Sequence, residues 1–209
     1  MRIRKTAESR KAEILDAALR LADKLGPDGL TTKAIADAVG ITQPGIFRHF
    51  PKKQDLWEAV AARIGSMMEE CWKKAQNGNA PATHRIRALI RAQLRLIHST
   101  PAIPAILFSR ELHTKNKGLR MAFLDLMSRF HGLLAELATQ ARDAGELRND
   151  LDPDDTAFLI IGLVQGLAVR WSISGRNFNL TEEGSRLLEL QLSGFACAPA
   201  AATAKRRML

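Results

Sequence analysis

Apolar residues recur along most of this chain at intervals of three and four, the period of amphipathic helices rather than of strands. Over residues 9–25, Ile14, Leu15, Ala18, Leu21, Ala22 and Leu25 form one stripe, which the run Gly26, Pro27, Asp28, Gly29 ends. Two short helices are predicted within residues 31–53. Ile35, Ala36 and Val39 of the first share a face that Ile41, Ile46 and Phe50 cover from the next segment, with Gly40 at the turn between them. Glycine supplies a left-handed backbone there at little cost. Thr42 is a good N-cap, and Pro44 falls in the first turn, where no intrahelical amide is lost, so the second helix is predicted to start at about Gln43.

Longer helices are predicted downstream. One runs from residue 53 to about 76 through Leu56, Val60, Ile64 and Met67, with Trp57 and Trp72 as core residues. Residues 83–99 turn Ile86, Leu89, Ile90, Leu94 and Ile97 inward and Arg85, Arg87, Arg91 and Arg95 outward, a basic ridge read as a solvated face. Pro101 and Pro104 force a break, followed by a short helix over residues 104–112 and a polar loop over 113–118. Residues 119–144 form the longest predicted helix, ended by Gly145. Asp152 caps the next, with Pro153 at its first position, and the segment is nearly all apolar to Trp171. A last helix over 181–197 is capped by Asn179 or Thr181.

Charge sharpens the picture. The chain carries a net +9, and residues 1–53 contribute +5 of it, from 11 Lys/Arg against 6 Asp/Glu. Residues 54–204 contribute only +1, and Lys205, Arg206 and Arg207 the remaining +3. Basicity gathered around a helix-turn-helix suits phosphate binding through counterion release. In such a unit the N-terminal residues of the second helix meet base edges and flanking groups hold phosphates. Gln43, Pro44 and Gly45 occupy that end: an amide for an adenine edge, a ring for a thymine methyl, and a position without bulk. Arg48, His49 and Lys53, with Thr32 and Lys33 from the first helix, supply phosphate donors.

At these residues the chain resembles the tetracycline-repressor-like (TetR) family of transcriptional regulators. The shared pattern stands here as Thr32, Ile35-Ala36, Val39-Gly40-Ile41-Thr42, Gly45, Phe47, His49-Phe50, Lys53 and Leu56, within about residues 10–60. The family often has tyrosine at position 47; with no tyrosine in this chain, that phosphate hydrogen bond is lost and Phe47 is expected to pack. The resemblance implies an all-α protein: an N-terminal three-helix helix-turn-helix DNA-binding domain, residues 1–53, and a larger helical effector-binding and dimerisation domain, residues 54–197. The first eight residues read as a mobile basic arm and residues 198–209 as a disordered tail. The helix starting near Lys53 is the natural lever between the two domains.

A homodimer is expected on three grounds. The last two helices carry more apolar surface than one chain comfortably covers, two reading heads on a two-fold axis would read a palindromic operator, and the resembled family pairs these helices. Phe158, Ile161, Gly162, Gln165 and Val169 on one helix and Leu188, Leu192 and Phe195 on the other are the candidate interface, with Gly162 and Gly166 spaced for close approach. The family also implies a small-molecule effector held among the middle helices. Candidates are polar or aromatic residues amid apolar ones: His98, Phe108, Arg110, Met121 and Phe130, then His131, Gln165, Arg170 and Trp171. A mostly apolar lining suits a hydrophobic or amphipathic molecule that releases a repressor from DNA.

Other classes find less support. No phosphate loop, HExxH, GxSxG or paired-carboxylate signature is present, and the histidines at 49, 84, 98, 113 and 131 are scattered, so neither enzyme, metal site nor cofactor is expected. A sequence-tolerant architectural DNA binder would need the basic N-terminal unit but not the large apolar remainder. Cys71 and Cys197 belong to no paired motif and suggest a reducing, cytoplasmic setting. No signal peptide is visible, and the longest apolar stretch, residues 157–169, falls short of the ~20 residues of a membrane span.

Overall fold

Three threonines open the first three helices, each accepting the amide three residues on: Thr6 from Ser9, Thr31 from Ala34 and Thr42 from Gly45. The helices they start are α1 (Ala7–Leu25), α2 (Thr32–Val39) and α3 (Gln43–Phe47). The computed structural model describes residues 6–27, 29–76 and 78–197, so most of the basic arm, and the tail from residue 198 with its three cations, lie outside the described residues. Ile14, Ala17, Ala18 and Ala22 of α1 bury against Ile35, Ala36, Ile46 and Phe50, a small core for the N-terminal unit.

α4 (Lys53–Ala75) leaves that core and enters a larger bundle with α5 (Ala82–Ser99), α8 (Lys117–Asp143), α9 (Pro153–Ile173) and α10 (Leu180–Phe195). The short α6 (Ala102–Leu107) rests on α1, and α7 (Arg110–Lys115) on α8. Among the described residues there is no strand, only an isolated bridge between Leu147 and Ala196. Gly184 brings α10 hard against α5, since a Cβ there would stand 2.5 Å from Leu94 Cδ1. In the turn after α9, Arg176 takes a left-handed φ of 64°, pairs with Asp23 of α1 and lies over the Trp171 ring at 5.5 Å.

Three differences from the sequence reading have local causes. Residues 104–112 are not one helix: Ser109 turns extended and caps α7 by accepting the Leu112 amide, so two short helices replace it. The expected loop over 113–118 shrinks to Asn116, because α7 continues to Lys115 and α8 starts at Lys117. α9 is longer than the apolar run 157–169: its 21 residues are long and apolar enough to cross a membrane by length and composition alone. It is nevertheless a central helix of the bundle, with Ala157, Ile160, Val164, Ala168 and Trp171 buried against its neighbours.

The candidate interface residues divide. Ile161 is 9% exposed and Leu188 and Leu192 are each 2% exposed, so these three belong to the chain's own core, a correction that follows from the phase of α9 and α10. Gln165, Val169 and Phe195 are half-buried. Phe158 is 63% exposed, Gly162 is open, and the same outer surface carries Leu159, Ile173 and Leu190, which the sequence reading did not name.

Candidate nucleic-acid interface and interior cavity

α2 ends where its backbone turns left-handed, at Gly40 with φ 70° and ψ 39°. The amide of Ile41 then returns to the Ala36 carbonyl at 3.0 Å, closing the turn. Thr42 accepts the Gly45 amide at 3.3 Å, and α3 starts at Gln43 with Pro44 in its first turn. Ile46 points wholly into the core, which fixes the phase of α3 and leaves Gln43, Pro44 and Arg48 facing outward.

Thr32, Gly45 and His49 are half-buried at the edge of this surface, while Lys33, Thr42 and Lys53 are exposed. Gln43 Nε2 donates to Thr32 Oγ1 at 2.8 Å, which ties the start of α3 to the start of α2. Among the described residues no ion pair engages Lys33, Arg48 or Lys53, so their charges face solvent. Phe47 departs from expectation: rather than packing, it is 39% exposed, because adjacent Ile46 takes the inward direction of so short a helix. The outer face thus offers an amide, a proline ring, an aromatic ring and three unpaired cations.

The second site lies inside the bundle. A cavity of about 30 Å³ is walled by Met68 of α4, Gln93 and Ile97 of α5, and Ile103, Pro104 and Leu107 of α6. Phe108, Met127 and Phe130, with Ile161, Val164, Gln165 and Ala168 of α9, complete it. Its lining is apolar apart from the two glutamines. Gln93 is 3% exposed and accepts the Trp72 indole N–H at 2.6 Å, and Trp72 stacks on Phe130 with centroids 4.7 Å apart.

Of the nine residues predicted for a pocket, Phe108, Phe130 and Gln165 line this cavity and six do not. His98 follows inward Ile97, so it faces out, its ring 5.4 Å from Trp171. Trp171 is buried, but it points toward the α9–α10 turn, where its N–H donates to the Phe178 carbonyl at 3.0 Å. Arg110, Met121 and Arg170 are exposed, and His131 packs against Phe158 with ring centroids 4.2 Å apart and planes tilted by 43°, on the outer side of α8 and α9. Sequence reasoning missed Gln93 although a signal was present: it is a lone polar residue among the inward positions of its helix.

Two family models match the chain: bacterial regulatory proteins of the tetR family over residues 14–60, and the tetracyclin repressor-like C-terminal domain over residues 82–181. The fatty acid metabolism regulator protein of Bacillus subtilis is 22% identical over 183 residues, covering 87% of this chain and 93% of that protein. The crystal structure of the regulator FadR from Bacillus subtilis with stearoyl-CoA superposes with a TM-score of 0.74 at 21% identity, over 88% of this chain and 98% of that one. AibR, solved with isovaleryl coenzyme A and operator DNA, gives a TM-score of 0.70 at 23% identity, over 87% and 97%. The turn at Gly40, the capped α3 and its basic outer face fit the first family model, and the helical bundle fits the second. The chain therefore belongs to the tetR family of bacterial transcriptional regulators, proteins that act by binding DNA.

Proposed function

We propose that this regulator is a homodimeric repressor that binds a palindromic operator through α3 and is released by a hydrophobic or amphipathic effector. The observation that carries the reading is the outer face of the helix-turn-helix, where Gln43 and Pro44 stand exposed at the start of α3 beside unpaired Lys33, Arg48 and Lys53. Gln43 and Pro44 read base edges and Gly45 admits the backbone. Thr32, Lys33, Thr42, Arg48, His49 and Lys53 hold phosphates. Exposed Phe47 reaches the sugar-phosphate wall as an apolar contact. Residues 1–53 act as the reading head and residues 54–197 as the effector and dimerisation domain.

Release works through α6. Three of its residues wall the cavity while the helix rests on α1 of the reading head. A cavity of about 30 Å³ holds little more than one water, so an effector must part its walls, and displacing α6 moves α1. An effector that binds only the opened conformer lowers operator affinity by its preference for that conformer. An acyl thioester is the class favoured, because stearoyl-CoA and isovaleryl coenzyme A occupy the two related structures and this lining is apolar with two amide groups.

Selection of bound DNA from a random duplex library, at stated near-physiological salt, tests the first half. An enriched palindrome with half-sites separated by about 34–36 Å or a multiple is expected. Salt-sensitive binding without enrichment points instead to an architectural binder. With the operator in hand, acyl-CoA thioesters of graded chain length are titrated against the complex, and failure of every chain length to release it rejects the effector class.

A further inference from the structure

The arginine ridge of α5 does more than face solvent. Arg87, Arg91 and Arg95, with Lys74 of α4, line a groove between the two helices with half-buried Cys71 on its floor. The groove measures about 820 Å³, the size of small-molecule sites, which run on the order of 300–1,000 Å³. Its walls carry these four cations and no carboxylate. Glu70 holds Lys74 at 2.7 Å and Glu189 holds Arg87 at 2.8 Å. Arg91 and Arg95 have no ion pair or hydrogen bond among the described residues, which leaves two guanidinium groups for an anion.

The arrangement is specific in spacing and in polarity. Residues four apart on a helix rise about 6 Å, so Arg87, Arg91 and Arg95 spread their charge over about 12 Å. Ala75, Ala88, Ala92 and Leu96 lay an apolar strip beside them. Burial pushes the Cys71 thiol up, and Arg95 and Lys74 pull it the other way, so both cations act on the groove floor. We propose that this groove binds a small organic polyphosphate of the nucleotide class, its phosphates on Arg91 and Arg95 and its flat apolar part on the alanine strip. A duplex seated on α3 does not fill it, because Cys71 lies 18 residues, about 27 Å, along α4 from Lys53.

Calorimetric titration of the full chain with ATP, inorganic tripolyphosphate and adenosine tests this. One ATP per chain is expected, with tripolyphosphate and adenosine each at least about tenfold weaker. Arg91→Glu and Arg95→Glu should each lower ATP affinity by about tenfold or more, while Arg120→Glu, an exposed change at the start of α8 where Gly118 meets Glu58 of α4, leaves it unaltered. Melting curves establish that the variants fold. No saturable ATP binding, equal affinity for tripolyphosphate, or an equal loss in Arg120→Glu overturns the proposal. Displacement of ATP by random duplex at equal affinity per phosphate also overturns it, by making the groove a backbone contact. Operator selection does not involve this groove and stands or falls separately. Because coenzyme A is itself an adenine nucleotide, the thioester titration is repeated on Arg91→Glu, where release that persists without ATP binding separates the cavity from the groove.

Discussion

The indole N–H of Trp72 and the amide oxygen of Gln93 meet at 2.6 Å inside an otherwise apolar bundle, and the pair binds α4 to α5 beside the cavity. Gln93→Leu keeps most of the volume but leaves a buried donor without a partner, so a loss of about 1–3 kcal/mol is expected. Urea unfolding should show a lower midpoint at an unchanged slope, and an unchanged midpoint would mean that the indole finds another acceptor. On the proposed reading head the residues are assigned separate roles. Gln43→Ala should relax base preference, whereas Lys53→Ala should weaken operator and random duplex alike and reduce the salt slope by about one. Equal losses on both duplexes for Gln43→Ala would sink its assignment as a base reader.

At the scale of elements, α5 shows what a sequence does and does not disclose. Its N-cap position is Pro81, which offers no side-chain acceptor, and the cap arrives from 63 residues away. Glu146, just beyond α8, accepts the Ala82 amide at 3.1 Å, the Thr83 amide at 2.9 Å and the Thr83 hydroxyl at 2.6 Å. Partial burial raises this carboxyl, but the Thr83 and Ala82 hydrogen bonds and the charge of Arg87 outweigh it and hold its pKa below the ordinary 4.5. A depressed carboxylate contributes stability that is complete above its unfolded value and is lost as pH falls through the lower folded value. The melting temperature should therefore drop as pH falls below about 4.5, and Glu146→Gln should flatten that acid limb while lowering stability at neutral pH. Identical pH profiles for the two proteins would remove Glu146 from the account. Local caps such as Thr42 and Asp152, and the stop at Gly145, were legible because one residue decides each. The cap from Glu146, the break at Ser109 and the cavity lining were not, because each depends on how helices cross. Inward phase identified Ile97 but not which inward residues border a void, and the choice of polar or aromatic residues amid apolar ones put His98 and Met121 in a pocket they do not line.

For the whole molecule the decisive feature is the apolar surface that the chain leaves open. Phe158 and Ile173 of α9 are 63% and 82% exposed and Leu190 of α10 is 66% exposed, while a Cβ on Gly162 or Gly166 would meet nothing within 4 Å. A helix that passes the composition test for a membrane span but is partly buried in its own bundle has its remaining apolar face accounted for if a second copy covers it. In the proposed homodimer, two-fold pairing through α9 and α10 would set the spacing of two reading heads, and linking them would raise operator avidity by about 10²–10⁴ over one head. The double change Phe158→Glu and Leu190→Glu places two carboxylates on this surface without touching the buried side of either helix. It should therefore yield a folded monomer by sedimentation velocity, with unchanged helical circular dichroism, and operator affinity reduced by about a hundredfold or more. Monomers that still hold the palindrome at full affinity would show that pairing occurs on the DNA rather than in solution. A persistent dimer would move the interface off this face, and with it the corrected assignment that leaves Ile161, Leu188 and Leu192 to the core.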